Sequence, residues 1–152
     1  ASSADEYWFL TKQMIEEELA GTTISRTIIS DYGQPIGTIN LFDIKHGAGF
    51  LGTWIGTQFQ GQGYNKKAKE QFLEELFFEQ NIQTVFLRIR KNNIKSIRAT
   101  EKLGYALKAN DSHQVIYEEI NKGNNHFDLY YIPKDLFLMK TLQQNSEEEQ
   151  AM

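Results

Sequence analysis

The stretch Gln58-Phe59-Gln60-Gly61-Gln62-Gly63-Tyr64-Asn65 follows a short run ending in Trp54-Ile55 and precedes a long helical pattern. A strand, a glycine-rich turn and a helix in that order can bind an anion. Glycine lets the backbone approach a ligand with no Cβ in the way. The amides of a helix's first turn have no internal partner, and the helix dipole adds to their field. A phosphate or pyrophosphate is the natural guest, and Lys66, Lys67 and Lys69 add local positive charge. A plain glycine-rich turn is the competing reading. Two familiar phosphate loops do not fit. The P-loop ends in Gly-Lys-Ser/Thr, whereas Gly63 is followed by Tyr64-Asn65. The dinucleotide fingerprint needs a third glycine where Lys66 stands, and an acidic residue about 20 positions on, where Gln83 stands.

Other residues can do chemistry further along. Asn93 can cap a helix that stops at Gly104, with Ser96 in its first turn. Glu118 and Glu119 fall in a run read as strand, Gln114–Ile120, so they point to opposite faces and one of them faces a cleft. Asp43 and His113 are weaker candidates for a base. With no cysteine there is no disulfide frame, zinc ribbon, thiolate nucleophile or iron–sulfur site. His46, His113 and His126 are scattered, so no metal is expected.

The elements that must hold these residues are readable from periodicity. Residues 5–20 read as a helix with Trp8, Ile15 and Leu19 on one face and Gly21 ending it. Thr22–Ser30, Ile36–Ile44 and Phe50–Ile55 read as three strands. Turn residues at 31–35 and 45–49 separate them, which makes an antiparallel meander. A helix runs to Gln80 with Ala68, Phe72, Leu73, Leu76 and Phe77 on one face, and Asn81 can take the left-handed end position. Thr84–Arg90 is a strand and Asn93–Leu103 a helix. Strands resume at Tyr105–Leu107, Gln114–Ile120 and Phe127–Ile132. The tail after Pro133 is weakly helical and becomes rich in Glu and Gln; residues 146–152 read as a flexible acidic tail. Phe137, Leu138 and Met139 belong either to the core or to a homodimer interface. The expected organisation is a single α+β domain over residues 1–145.

Composition agrees with a soluble globular chain. Its 152 residues suit one domain, and 10 Phe, 7 Tyr and 2 Trp supply apolar area to bury. A net charge of -4 gives no sign of a nucleic-acid partner. No run approaches the length of a membrane span. Ala1–Asp5 has neither the charged region nor the apolar core of a signal peptide, so the expected compartment is the cytoplasm.

Two segments together resemble a known family. Gln60-x-x-Gly63-x-Asn65 is similar to the acetyl-CoA signature Q/R-x-x-G-x-G/A of the GCN5-related N-acetyltransferases (GNAT). Asn93-Ile94-Lys95-Ser96-Ile97-Arg98-Ala99-Thr100-Glu101-Lys102-Leu103-Gly104-Tyr105 closely resembles the N-x-x-S-I-R-x-x-E-K-L-G-F segment of the branch that includes the ribosomal-protein N-terminal acetyltransferases. Trp54-Ile55-Gly56 sits where that branch often has Trp-Leu-Gly. The resemblance spans roughly residues 6–132. It departs at Asn65, where the family has a small residue, and at the amino terminus, where the family usually has a strand before the first helix.

The resemblance implies a GNAT-type domain with a central mixed, mostly antiparallel sheet, splayed at the cofactor site and flanked by helices. It implies acetyl-CoA as co-substrate and no metal. The backbone of Gln60, Gly61, Gln62, Gly63, Tyr64 and Asn65 would hold the pyrophosphate. The edge at Trp54 and Ile55 would pair with the pantetheine amide, and an N–H near Ile55 would serve the oxyanion. Core packing is the alternative reading for both residues. Asn93 would contact the pantetheine arm, with capping alone as the alternative. Ser96 would lie near the sulfur as a general acid, Thr100 standing where other branches place a tyrosine. Alignment of Asp128-Leu129-Tyr130 with the branch favours Glu118 as a water-mediated base; an exposed carboxylate is the alternative.

The expected reaction is acetyl transfer to a primary amine by direct attack in a ternary complex, since no cysteinyl intermediate can form. The acceptor would be a protein N-terminus, a polyamine or an amino-bearing small molecule. A non-catalytic acyl-CoA-binding or regulatory module of the same fold is the alternative.

Overall fold

The structure is a computed structural model that describes residues 12–151. The chain divides after Asn81 into two compact units. In the first, residues 12–19 form helix α1, and Gly21 follows with φ 79°. Trp8 lies outside the described residues. The face expected to be apolar is open: Ile15 is 57% and Leu19 83% exposed.

Three strands then make the expected antiparallel meander: β1 (Ile24–Ile29), β2 (Pro35–Lys45) and β3 (Ala48–Ile55). Gly33 at φ 78° and the pair His46 and Gly47, both left-handed, turn the chain between them. The ladder alternates. Ile24, Ile28, Ile39 and Leu41 are buried on one face, and Thr27, Thr38 and Trp54 are exposed on the other. Helix α2 (Tyr64–Glu79) buries Phe72, Leu73, Leu76 and Phe77, and Asn81 closes it at φ 58°. Arg26 of β1 meets Glu75 of α2 through Nε and Nη2, and Glu18 through Nη1. This carboxylate company raises the Arg26 pKa, chiefly through the Glu75 hydrogen bond.

In the second unit, β4 (Thr84–Arg90) pairs antiparallel with β6 (Phe127–Pro133), which also pairs with the two-residue β5 (Leu107–Lys108). Val85, Leu87, Ile89, Leu129, Tyr130 and Ile132 are buried. Helix α3 (Ile94–Glu101) follows β4. The run Gln114–Ile120 is helix α4, and this corrects the strand reading. Gln114 and Glu118 pair side chains one turn apart, and Asn121 closes the helix by bonding the Tyr117 carbonyl through its Nδ2. Helix α5 (Lys134–Ala151) carries Phe137 into the core, where its ring meets Tyr105 edge-on at 5.1 Å. Met139 is 52% exposed, and residues 142–150 are exposed throughout. The α+β class expected from the sequence is the class found.

Candidate active site

The loop after β3 is built by short local bonds. Gly56 N–H donates to the Ile36 carbonyl at 2.8 Å and anchors the chain as it leaves the sheet. A single 3-10 turn, Thr57–Phe59, follows. The Gln60 side chain reaches back, and its Nε2 donates to the Ile55 carbonyl at 2.9 Å. Gln62 does the same to the Gln58 carbonyl at 2.9 Å. Gly61 and Gly63 have φ values of 74° and 87°, so the chain reverses twice through backbone that side chains disfavour. Nothing lies within 4 Å of where a Cβ would stand at either glycine. Phe59 and Tyr64 meet edge-on at 6.4 Å across the loop.

Gly63 is the N-cap of α2 and supplies no side-chain cap. Its carbonyl accepts the Lys67 N–H at 3.2 Å, so the amides of Tyr64, Asn65 and Lys66 come too early for an intrahelical acceptor. No acidic side chain occupies the first turn, and Lys66 and Lys67 are exposed there. Burial without a counter-charge lowers the Lys69 pKa below the usual lysine value. Open glycines, uncapped amides and lysines fit a pyrophosphate. Asn65 is helical and exposed, so its backbone is ordinary and only its side chain departs from the signature. Tyr64 and Lys67 also line a cavity of about 460 Å³ with Ile28, Asp31 and Gln71. At the strand end, Ile55 is core, 6% exposed, whereas Trp54 is 64% exposed and is not core packing.

In the second unit, β4 delivers the chain to Asn93. Asn93 Oδ1 accepts the Ser96 N–H at 3.2 Å and its carbonyl accepts the Ile97 N–H at 3.1 Å, so the capping expected of it is present. The Ser96 hydroxyl is half-buried and has no partner among the described residues. Glu118 is exposed on α4 and accepts from Gln114 Nε2 at 3.1 Å. The alternating-strand argument that put either Glu118 or Glu119 toward a cleft therefore falls. The His113 ring is packed, 5.4 Å from Phe86 and 4.5 Å from Tyr131.

The sequence reading missed several anchoring groups. The Gln60 side chain straps the strand end, which a glutamine five residues past Ile55 could have signalled. Lys91 Nζ donates to Tyr117 Oη at 2.7 Å and to Asn125 Oδ1 at 3.1 Å, and Tyr117 also donates to Asn125 at 3.0 Å. The Tyr130 hydroxyl donates to Glu101 Oε1 at 3.1 Å. No local pattern announces the last two. Among the described residues no group of three or more His, Cys, Asp or Glu could hold a metal ion, and no helix is long and apolar enough to cross a membrane.

Comparison with known proteins adds the family. No curated protein matches the chain. Solved structures do, at low identity. A variant of the spermidine N-acetyltransferase of Vibrio cholerae superposes with a TM-score of 0.72 at 18% identity, covering 93% of this chain and 81% of its own. The same enzyme in complex with CoA and spermine gives 0.68 at 17% identity, with coverages of 91% and 79%. Apo FdhC, a nucleotide-linked sugar GNAT, gives 0.73 at 18% identity, with coverages of 95% and 76%. These likenesses are likenesses of fold. Residues 2–106, well over half of the chain, match the profile of the acetyltransferase (GNAT) domain. The chain belongs to the GNAT family of acetyl-CoA-dependent N-acetyltransferases.

Proposed function

We propose that this chain acetylates the primary amine of a cationic acceptor, a polyamine being the favoured class, by direct attack on the thioester of acetyl-CoA. The observation that carries the reading is the uncapped amino end of α2 behind Gly61 and Gly63. Those amides are fixed, point away from the helix, and meet no acid in the first turn. A net charge of -4 favours a cationic acceptor, and the spermidine N-acetyltransferase of similar fold supports the polyamine class.

Each step asks something of the chain's residues. Gln60 to Asn65 hold the pyrophosphate through backbone N–H groups. The backbone at Trp54–Ile55 lies along the pantetheine arm, with Asn93 as a further contact. A neutral amine attacks the carbonyl carbon, a C–N bond forms, and a backbone N–H near Ile55 stabilises the oxyanion. As the C–S bond breaks, the uncommitted Ser96 hydroxyl donates to the departing thiolate. Glu118 takes the proton lost by the amine through water.

The test is release of free CoA thiol with spermidine, spermine, a peptide with a free N-terminus and an amino sugar. The expected result is release stimulated most by the polyamines. Release by the peptide alone would move the acceptor to the protein N-terminus. Tight acetyl-CoA binding with no stimulation by any amine would favour the non-catalytic module.

A further inference from the structure

Helix α3 has little packing of its own to hold it. Of its eight residues only Thr100 is buried. Two polar anchors fix it instead. At its start Asn93 caps Ser96. At its end Glu101 accepts the Tyr130 hydroxyl at 3.1 Å. Tyr130 is 2% exposed and stands opposite Leu87 in the seven-pair β4–β6 ladder. That ladder also ends at Arg90, from which the chain enters Asn93. Both ends of α3 are thus tied to one rigid ladder, one through the main chain and one through a single side-chain bond.

We propose that Tyr130 is a positioning residue: by latching Glu101 it fixes the axis of α3 and so the placement of Asn93 and Ser96 toward acetyl-CoA. This rests on the roles proposed above for Asn93 and Ser96. Ser96 lies five residues, about 7.5 Å of helix rise, from the latch. Freeing one end of so short a rod lets the other tilt, and a displacement of about 1 Å can cost up to about a hundredfold in an enzyme site. A buried phenol is well suited to the task, because it stays protonated and donating throughout the physiological range.

The experiment measures acetyl-CoA affinity by calorimetry and turnover by thiol release for Tyr130→Phe, Glu101→Gln, Asn93→Ala and Ser96→Ala, each confirmed folded by circular dichroism and assayed well below its Tm. Glu101→Gln keeps an acceptor oxygen for the phenol. The inference expects Tyr130→Phe to lose about tenfold in kcat/KM for acetyl-CoA and Glu101→Gln to stay within about twofold of the parent. A Tyr130→Phe protein that only melts earlier, with affinity and turnover unchanged while Asn93→Ala and Ser96→Ala are impaired, overturns the latch and leaves the site intact. If Asn93→Ala and Ser96→Ala are both silent, the site reading fails and the latch with it.

Discussion

Gly63→Ala separates the folding cost of the glycine loop before α2 from the pyrophosphate-binding role proposed for it. Gly63 has φ 87°, and nothing lies within 4 Å of the added Cβ, so the substitution meets no steric clash. What remains is the left-handed backbone, which costs a non-glycine residue about 1–2 kcal/mol. For a chain of this size that is a fall in Tm of about 2–8 °C. Gly33 provides a matched control: its φ is 78°, it too has open space around it, and it lies in the β1–β2 turn. Gly33→Ala should therefore destabilise by the same amount. The two should part on ligand binding. At Gly63 the methyl is added to the loop proposed to hold the pyrophosphate, at the N-cap of α2. Hydrogen bonds to charged groups are worth about 1.5–3 kcal/mol each, so loss of one weakens acetyl-CoA binding by about ten- to a hundredfold. Calorimetric titration with acetyl-CoA, alongside thermal melts of both variants, reads the two effects. Equal melting losses with unchanged acetyl-CoA affinity in Gly63→Ala would refute the placement of the pyrophosphate.

Ser96→Ala should lower turnover by about ten- to a hundredfold and leave acetyl-CoA affinity within about twofold, because the Asn93 cap uses the Ser96 amide and not its hydroxyl; an equal loss in both would make Ser96 a binding residue, and steady-state kinetics beside calorimetry decides. Leu76→Ala, at a fully buried position of α2, should cost about 2–5 kcal/mol in denaturant unfolding. Glu75→Ala removes the two-bonded partner of Arg26 and should cost about 1 kcal/mol, less in high salt, by the same measurement. The Tyr130 hydroxyl is pushed up to about 12, first by burial and then by Glu101. A pKa raised in the folded state contributes stability that is complete below the unfolded value of about 10 and is lost as pH rises through about 12. Melts across that window should show the loss in the parent and a flatter profile in Tyr130→Phe.

What could be read from the chain depended on how local its cause was. The meander was legible because Gly33 and the His46-Gly47 pair announce turns and the flanking runs are rich in β-formers. Helix α2 was legible because four buried residues recur at helical spacing. Asn93 declared a cap by its type and place. The run Gln114–Ile120 was misread because Val115, Ile116, Tyr117 and Ile120 favour strand and seven residues hold too few turns to show a helical period. Its helix is fixed from outside: Lys91 and Asn125 hold Tyr117, and Asn121 ties the helix end to Phe127 through bonds of 3.0 and 2.8 Å. The open face of Ile15 and Leu19 shows the converse, since spacing identifies an apolar stripe without saying that anything covers it. In the site, the backbone cradle was visible in glycine spacing. The Gln60 strap to Ile55 lies within six residues and could have been read from the sequence, whereas the Tyr130 bond to Glu101 joins residues that no short window contains.

The central claim is acetyl transfer to an amine, and the most direct measurement is mass spectrometry of the acceptor. The protein would be incubated with isotopically labelled acetyl-CoA and spermidine, with intact-protein mass followed in parallel. The account predicts labelled acetyl-spermidine in step with free CoA thiol, and an unmodified protein throughout. Label retained on the protein, or acetyl-CoA bound with no labelled amine formed from spermidine or any other amine supplied, would contradict it.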